Sequence, residues 1–193
     1  MYTICFGIMV MLVFGRFLYY GKSFVGGADG LSQVAPTMQY TGQYYRALLK
    51  NILQGNLQIP MWDMSIGFGM NILQVISFDP VYILCSVLFV HDIAVGIAIF
   101  DMLCLYLAGI MFIALCYNLG CNRYAALAAA LAYIFNGYIL NYCIAQNSFL
   151  RLFIVLPMIL LGVYNVTKKN RYGIFVLAVL YNITLGPLNI LSL

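Results

Sequence analysis

The sequence predicts an all-α, polytopic transmembrane helical bundle, and three observations predict it. The 193-residue chain is 65% hydrophobic and 7% charged, where soluble domains carry about 25% charged residues. Its apolar residues gather into segments of about 20, the helix length that matches the hydrocarbon core at about 1.5 Å per residue. The later breaks are short turns that carry Lys and Arg without acids, as membrane topology signals do. The nine basic residues are scattered rather than massed, which argues against nucleic acid as a partner.

Tyr2–Tyr20 is the first expected span. It has no basic flank and no small-residue cleavage site, so it reads as an anchor rather than a removed signal peptide. Arg16, one turn from its end, can snorkel to the interface beside Tyr19 and Tyr20. A long loop, 21–80, follows. It holds Asp29, Asp63 and Asp79, three of the five acidic residues, and the single tryptophan, Trp62. The glycines of Gly26-Gly27-Ala28-Asp29-Gly30 allow positive φ and close backbone approach. Pro36 suits a first helical turn. Tyr45, Leu48, Leu49, Ile52 and Leu53 recur at helical spacing, with Arg46, Lys50 and Gln54 on another face. This predicts an amphipathic helix lying on the membrane surface.

Residues 80–90 are apolar but too short to span, so they are expected to be re-entrant or interfacial. Further spans are expected at 93–117, 124–141, 149–166 and 172–193. Asp92 is a candidate N-cap for the second span. The alanine run of the third favours close helix packing. The 120–123 and 168–171 turns carry four basic residues, so they are assigned to the cytoplasm. The long loop and the polar bend 141–148 then face outward. The chain stops inside an apolar segment, as expected of a fragment of a longer polytopic protein.

The reading calls for no cofactor and no metal. His91 is the single histidine, and the six cysteines form no C-x-x-C pair; they read as small buried hydrophobes. Asp29, on a glycine-rich backbone near the membrane surface, has the residue type and place of a general base. The bland alternative is a solvated loop carboxylate. Arg46, Lys50 and Arg151 can each meet a phosphate, the arginines through a planar fork. Trp62 can stack on a sugar face. Asp63, Asp79 and Asp92 carry turn or cap readings. Asp101 lies about 12 Å into its span, where a charge costs about 2.5–3.5 kcal/mol on the insertion scale. It is either a functional residue facing the bundle interior or a hydrogen-bonded packing residue. Gln146 and Asn147 are loop caps or site-liners.

Gly27-Ala28-Asp29-Gly30-Leu31-Ser32-Gln33 resembles the YfhO family of bacterial membrane proteins. The resemblance continues through Gln54-Gly55-Asn56-Leu57-Gln58-Ile59-Pro60-Met61-Trp62-Asp63, Gly67-Phe68-Gly69 and Asp79-Pro80-Val81-Tyr82, and more weakly through Gln146-Asn147 and 156–162. It implies the GT-C glycosyltransferase architecture, in the bacterial plasma membrane, with an outer-face active loop. The implied activity moves a sugar from a polyprenyl-phosphate carrier to a cell-envelope polymer such as teichoic acid, with inversion. Asp29 maps to the family's aspartate at the acceptor hydroxyl, and Asp63 falls within the matched tryptophan segment. The expected partners are a lipid-linked donor, an envelope acceptor and membrane lipids. Two other classes stand beside this one: a transporter or flippase for lipid-linked envelope precursors, with Asp101 as the coupling or contact residue, and a structural subunit.

Overall fold

The computed structural model describes residues 1–27, 29–56 and 58–184. Among these, the helices are α1 (Tyr2–Tyr19), α2 (Ala35–Leu53), α3 (Pro80–Leu88), α4 (Ile93–Asn118), α5 (Arg123–Ile134), α6 (Leu152–Lys169) and α7 (Gly173–Thr184). Helices α1, α4 and α6 are long and apolar enough to cross a membrane, while α5 and α7 are shorter apolar helices. Sheet among the described residues is confined to a two-stranded antiparallel hairpin, β1 (Trp62–Asp63) and β2 (Met70–Asn71), in which Trp62 faces Asn71. Its turn is tight because Gly67, Phe68 and Gly69 all have positive φ, which glycine adopts without strain.

Helix α4 is the axis of the bundle. It packs against α3, α5 and α6 and buries Ile97, Phe100, Asp101, Cys104, Leu105 and Ala108. Its apolar residues lie all round the helix, as they must when neighbours cover several faces. On α5, Ala126 and Ala130 are fully buried, so the alanine run does bring the backbones close. By contrast α1 buries only Phe14 and exposes Ile4, Ile8, Met11 and Leu12. A continuous apolar face of this kind suits hydrocarbon rather than water.

The expected segment 124–141 is not one helix. Helix α5 ends at Ile134, and a π-helical turn, Ile139–Cys143, follows. Asn136 accounts for the break. Its Nδ2 donates to the Tyr133 carbonyl at 2.7 Å, and its Oδ1 accepts from the Ile139 N–H at 3.0 Å. Such local bonds compete with the helical ladder. Helix α6 begins at Leu152, three residues later than the expected 149, and runs on to Lys169. Pro157 sits inside it and cannot donate to the Phe153 carbonyl. The Tyr133 hydroxyl donates to that carbonyl instead, at 3.1 Å. Of the expected segment 172–193, α7 accounts for Gly173–Thr184; 185–193 lie outside the described residues.

Helix α2 forms as predicted, with Pro36 in its first turn, but it buries a different face. Met38, Thr41, Gly42 and Tyr44 are buried, whereas Leu49, Ile52 and Leu53 are exposed. Gly42 sets this face. A Cβ there would lie 2.2 Å from the Ser86 carbonyl oxygen, so α2 and α3 meet backbone to backbone. Arg46 reinforces the joint by donating through Nε to the Val87 carbonyl at 2.8 Å. Asp79 caps α3, its Oδ1 accepting from the Val81 and Tyr82 N–H groups at 2.8 and 3.4 Å. Asp92 stands at the N-cap position of α4, but its side chain makes no cap hydrogen bond.

Candidate functional site

Three pieces of chain meet at one end of the bundle: the start of α2, the β1–β2 hairpin with its exit to α3, and the bend between α5 and α6. Between them lies a cavity of about 560 Å³. Ser32 and Gln33 line it from the turn that precedes α2, Thr37 from the first turn of α2, and Ile66 and Met70 from the hairpin. Ser77, Tyr82, Asn147 and Arg151 complete its polar side. A second cavity, of about 340 Å³, adjoins it and shares Gln146 and Phe149 with it.

Asp29 is exposed and lines the smaller cavity. It has right-handed helical φ and ψ and opens a π-helical turn, Gly30–Val34, that leads into α2. π-Helical turns recur at functional sites. The Gln146 Nε2 donates to Asp29 Oδ2 at 3.0 Å, and Gln33 Nε2 lies 3.4 Å from Oδ1. The glycine-rich segment makes the first contact possible by close approach and not by positive φ. Among the described residues, the positive-φ glycines are Gly21, Gly55, Gly67, Gly69 and Gly120. A Cβ on Gly26 would stand 3.3 Å from the Ala145 Cβ, next to Gln146. Close packing of 26 on 145 thus carries a carboxylate to an amide 117 residues away.

Arg151 is buried at the start of α6. Its Nη1 donates to Ser77 Oγ at 3.1 Å and lies 3.9 Å from Asp79 Oδ2. Its guanidinium carbon is 5.7 Å from the Tyr82 ring centre. The same Asp79 oxygen accepts from the Tyr181 hydroxyl at 3.1 Å. Asp79 is therefore a cap, as expected, and also the hub of a buried network joining α3, α6 and α7. Nε of Arg151 is buried and has no hydrogen-bond partner among the described residues.

Asp101 is completely buried. Neither of its oxygens has a hydrogen-bond partner among the described residues, and neither does the amide nitrogen of Asn147, the polar group facing it. Asn147 is thus both a cavity-lining residue and the neighbour of the carboxyl in α4.

The remaining predicted residues lie elsewhere. Arg46 is spent on α3 and on His91 Nε2, 3.3 Å away. Lys50 is exposed on α2 and lines neither cavity. Trp62 is exposed on the hairpin, its indole N–H directed at Met64 Sδ. Asp63 holds the hairpin: its carboxylate accepts from the Ser65 hydroxyl at 2.7 Å, the Ser65 N–H at 2.8 Å and the Tyr40 hydroxyl at 2.8 Å. The Ser65 bonds, with that of Tyr40, draw the Asp63 carboxyl below its ordinary value. The Tyr40 hydroxyl is pushed up to about 12, first by burial and then by its bond to Asp63. Four of the six cysteines are buried, and no metal-binding cluster occurs among the described residues.

The site thus gathers Asp29, Gln146, Asn147 and Arg151, with Asp101 behind them. Sequence reasoning missed Ser77, Tyr181 and the second duty of Asp79. Tyr181 carries no signal, because a tyrosine in an apolar segment reads as an interface residue. Asp79 did: an aspartate before Pro80, at the mouth of an apolar run, must be buried if the run is.

No match is found among curated proteins, and none among solved structures. The family described as bacterial membrane protein YfhO matches residues 2–184, which takes in every helix among the described residues and both cavities. This helical membrane protein belongs to the YfhO family of bacterial membrane proteins.

Proposed function

We propose that this chain is part of a multi-pass membrane glycosyltransferase that moves a sugar from a polyprenyl-phosphate carrier to an extracytoplasmic acceptor such as teichoic acid. One observation carries the reading: an exposed carboxylate, Asp29, is held by Gln146 where two cavities adjoin, and the larger cavity contains the buried guanidinium of Arg151. A base beside one cavity and a cation in the other match the two ends of such a reaction. The Asp29 carboxylate takes the proton of the acceptor hydroxyl. The hydroxyl oxygen attacks the anomeric carbon from the face opposite the phosphate. The carbon–oxygen bond to phosphate breaks, its electron pair stays on the phosphate oxygen, and the anomeric centre inverts. Arg151, which lines the larger cavity, meets the developing phosphate charge with its guanidinium.

The basic turns support the outer-face assignment. Arg123 and Lys168–Arg171 lie at the bundle end away from the cavities, where Lys169 donates to Asn118. Basic residues mark the cytoplasmic side, so the cavities open outward. The test uses the full-length protein in membranes, a polyprenyl-phosphate carrier with labelled sugar, and a crude envelope-polymer acceptor. Asp29→Asn, at normal expression, is expected to slow transfer by about 10²–10⁴-fold; full activity would remove the assignment.

A flippase for lipid-linked precursors is the second reading. It is favoured by Asp101, a completely buried carboxyl inside α4 whose polar neighbour among the described residues is the Asn147 amide, because such groups mark transport pathways. Carrier crossing the bilayer without sugar transfer would select it.

A further inference from the structure

The two cavities differ in chemistry. The larger contains Arg151. The smaller is lined, among the described residues, by no Lys or Arg at all. Its charged group is Asp29, and its other polar groups are the amides of Asn141 and Gln146 and two tyrosines, Tyr138 and Tyr142. A phosphate would meet a carboxylate there with no cation to offset it. A neutral, many-hydroxylated ligand meets what it needs: ring faces for its C–H surfaces and a few convergent amide and carboxylate groups for its hydroxyls.

The aromatic side is arranged for this. Tyr138 and Tyr142 are four residues apart across the π-helical turn Ile139–Cys143. Their ring centres are 5.7 Å apart with planes at 35°. Both rings are largely solvent-exposed, at 58% and 67%. They contribute little core, and their ring faces stand open at the cavity. Asn141 Nδ2 donates to the Gly137 carbonyl at 2.9 Å, which fixes the amide and leaves its Oδ1 as an acceptor. Trp62, the aromatic expected to stack on sugar, lines neither cavity.

We propose that the smaller cavity is a subsite for a neutral, hydroxyl-rich unit of the acceptor, a sugar or polyol residue seated on Tyr138 and Tyr142 with its reacting hydroxyl at Asp29 and the polymer's phosphates outside the cavity. The assignment as acceptor rests on the transferase reading; the affinity for a neutral sugar does not. The donor's phosphate is excluded from this side by charge and belongs to the Arg151 side.

The test is saturation-transfer NMR on the full-length protein in nanodiscs, with methyl glucoside, methyl galactoside and N-acetylglucosamine as probes. At least one probe is expected to receive saturation from the wild type. In the double variant Tyr138→Ala/Tyr142→Ala the signal should fall at least about fivefold, the loss of roughly 1 kcal/mol that one aromatic contact supplies. The control Tyr138→Phe/Tyr142→Phe keeps both ring faces and should retain the signal. In the transfer assay the alanine pair should raise the acceptor KM about tenfold while the donor KM stays constant. No binding by any probe, or binding indifferent to the alanine pair, overturns the subsite. Ring-dependent binding with no transfer by the wild type would instead retire the transferase and leave a sugar-binding site. Transfer with unchanged acceptor KM in the alanine pair would keep the transferase and overturn the subsite.

Discussion

Arg151→Gln isolates the buried charge pair beneath the larger cavity. Asp79 is fully buried, Arg151 nearly so, and Nη1 lies 3.9 Å from Oδ2. At that separation, with an effective dielectric of about 20, the attraction is about 4 kcal/mol. Removing one partner of a buried pair costs about 3–5 kcal/mol, because the other charge is left uncompensated. Here the loss should fall near the lower end, about 3 kcal/mol, since Asp79 keeps the Tyr181 hydroxyl and two N–H groups of α3. Asp79→Asn keeps a capping side chain and should lose a similar amount by stranding Arg151. The double variant should lose much less than the sum, with a coupling of about 2 kcal/mol or more. Denaturant unfolding of the full-length protein in mixed micelles measures all four corners of this cycle. Additivity within about 0.5 kcal/mol would mean the two charges are independently solvated, and the argument for a buried network would fail.

The close α2–α3 joint predicts that Gly42→Ala destabilises the protein by about 1–3 kcal/mol, because the added carbon would meet the Ser86 backbone at 2.2 Å. Gly15→Ala in α1, where nothing lies within 4 Å of the added carbon, should instead gain about 0.5–1 kcal/mol from helix propensity; equal melting of the two variants would contradict the packing. The hairpin tether predicts a pH profile read by Trp62, the single tryptophan. The Asp63 value is depressed in the folded state, so its contribution is present above the ordinary carboxylate range and is lost as pH falls through that lower value. The Tyr40 value is raised to about 12, so its contribution is complete below the ordinary phenol value and is lost as pH rises through about 12. Trp62 emission should therefore hold steady from about pH 5 to 9 and change at both extremes; a transition inside that window would contradict the tether.

Composition and apolar periodicity were enough to name the class of molecule and to locate most of the helices. Sparse charge and runs of about 20 apolar residues admit little besides a membrane bundle, and Asp79-Pro80 and Pro36 marked helix starts through chemistry that acts within a turn. The sequence also marked Asp29 and Arg151 as residues worth watching. The tertiary structure decided which of the candidates meet. Asp29 and Gln146 are 117 residues apart, and no local rule links them; close packing of Gly26 on Ala145 does. The apolar stripe of α2 was legible, yet the helix buries the side carrying Gly42 and Thr41, because backbone proximity selects small residues and hydrophobic periodicity does not register them. Arg46 and Arg151 look alike in sequence. One spends its guanidinium on a helix-terminal carbonyl, and the other enters the cavity beside a buried carboxylate, a difference set by where α3 ends and α6 begins.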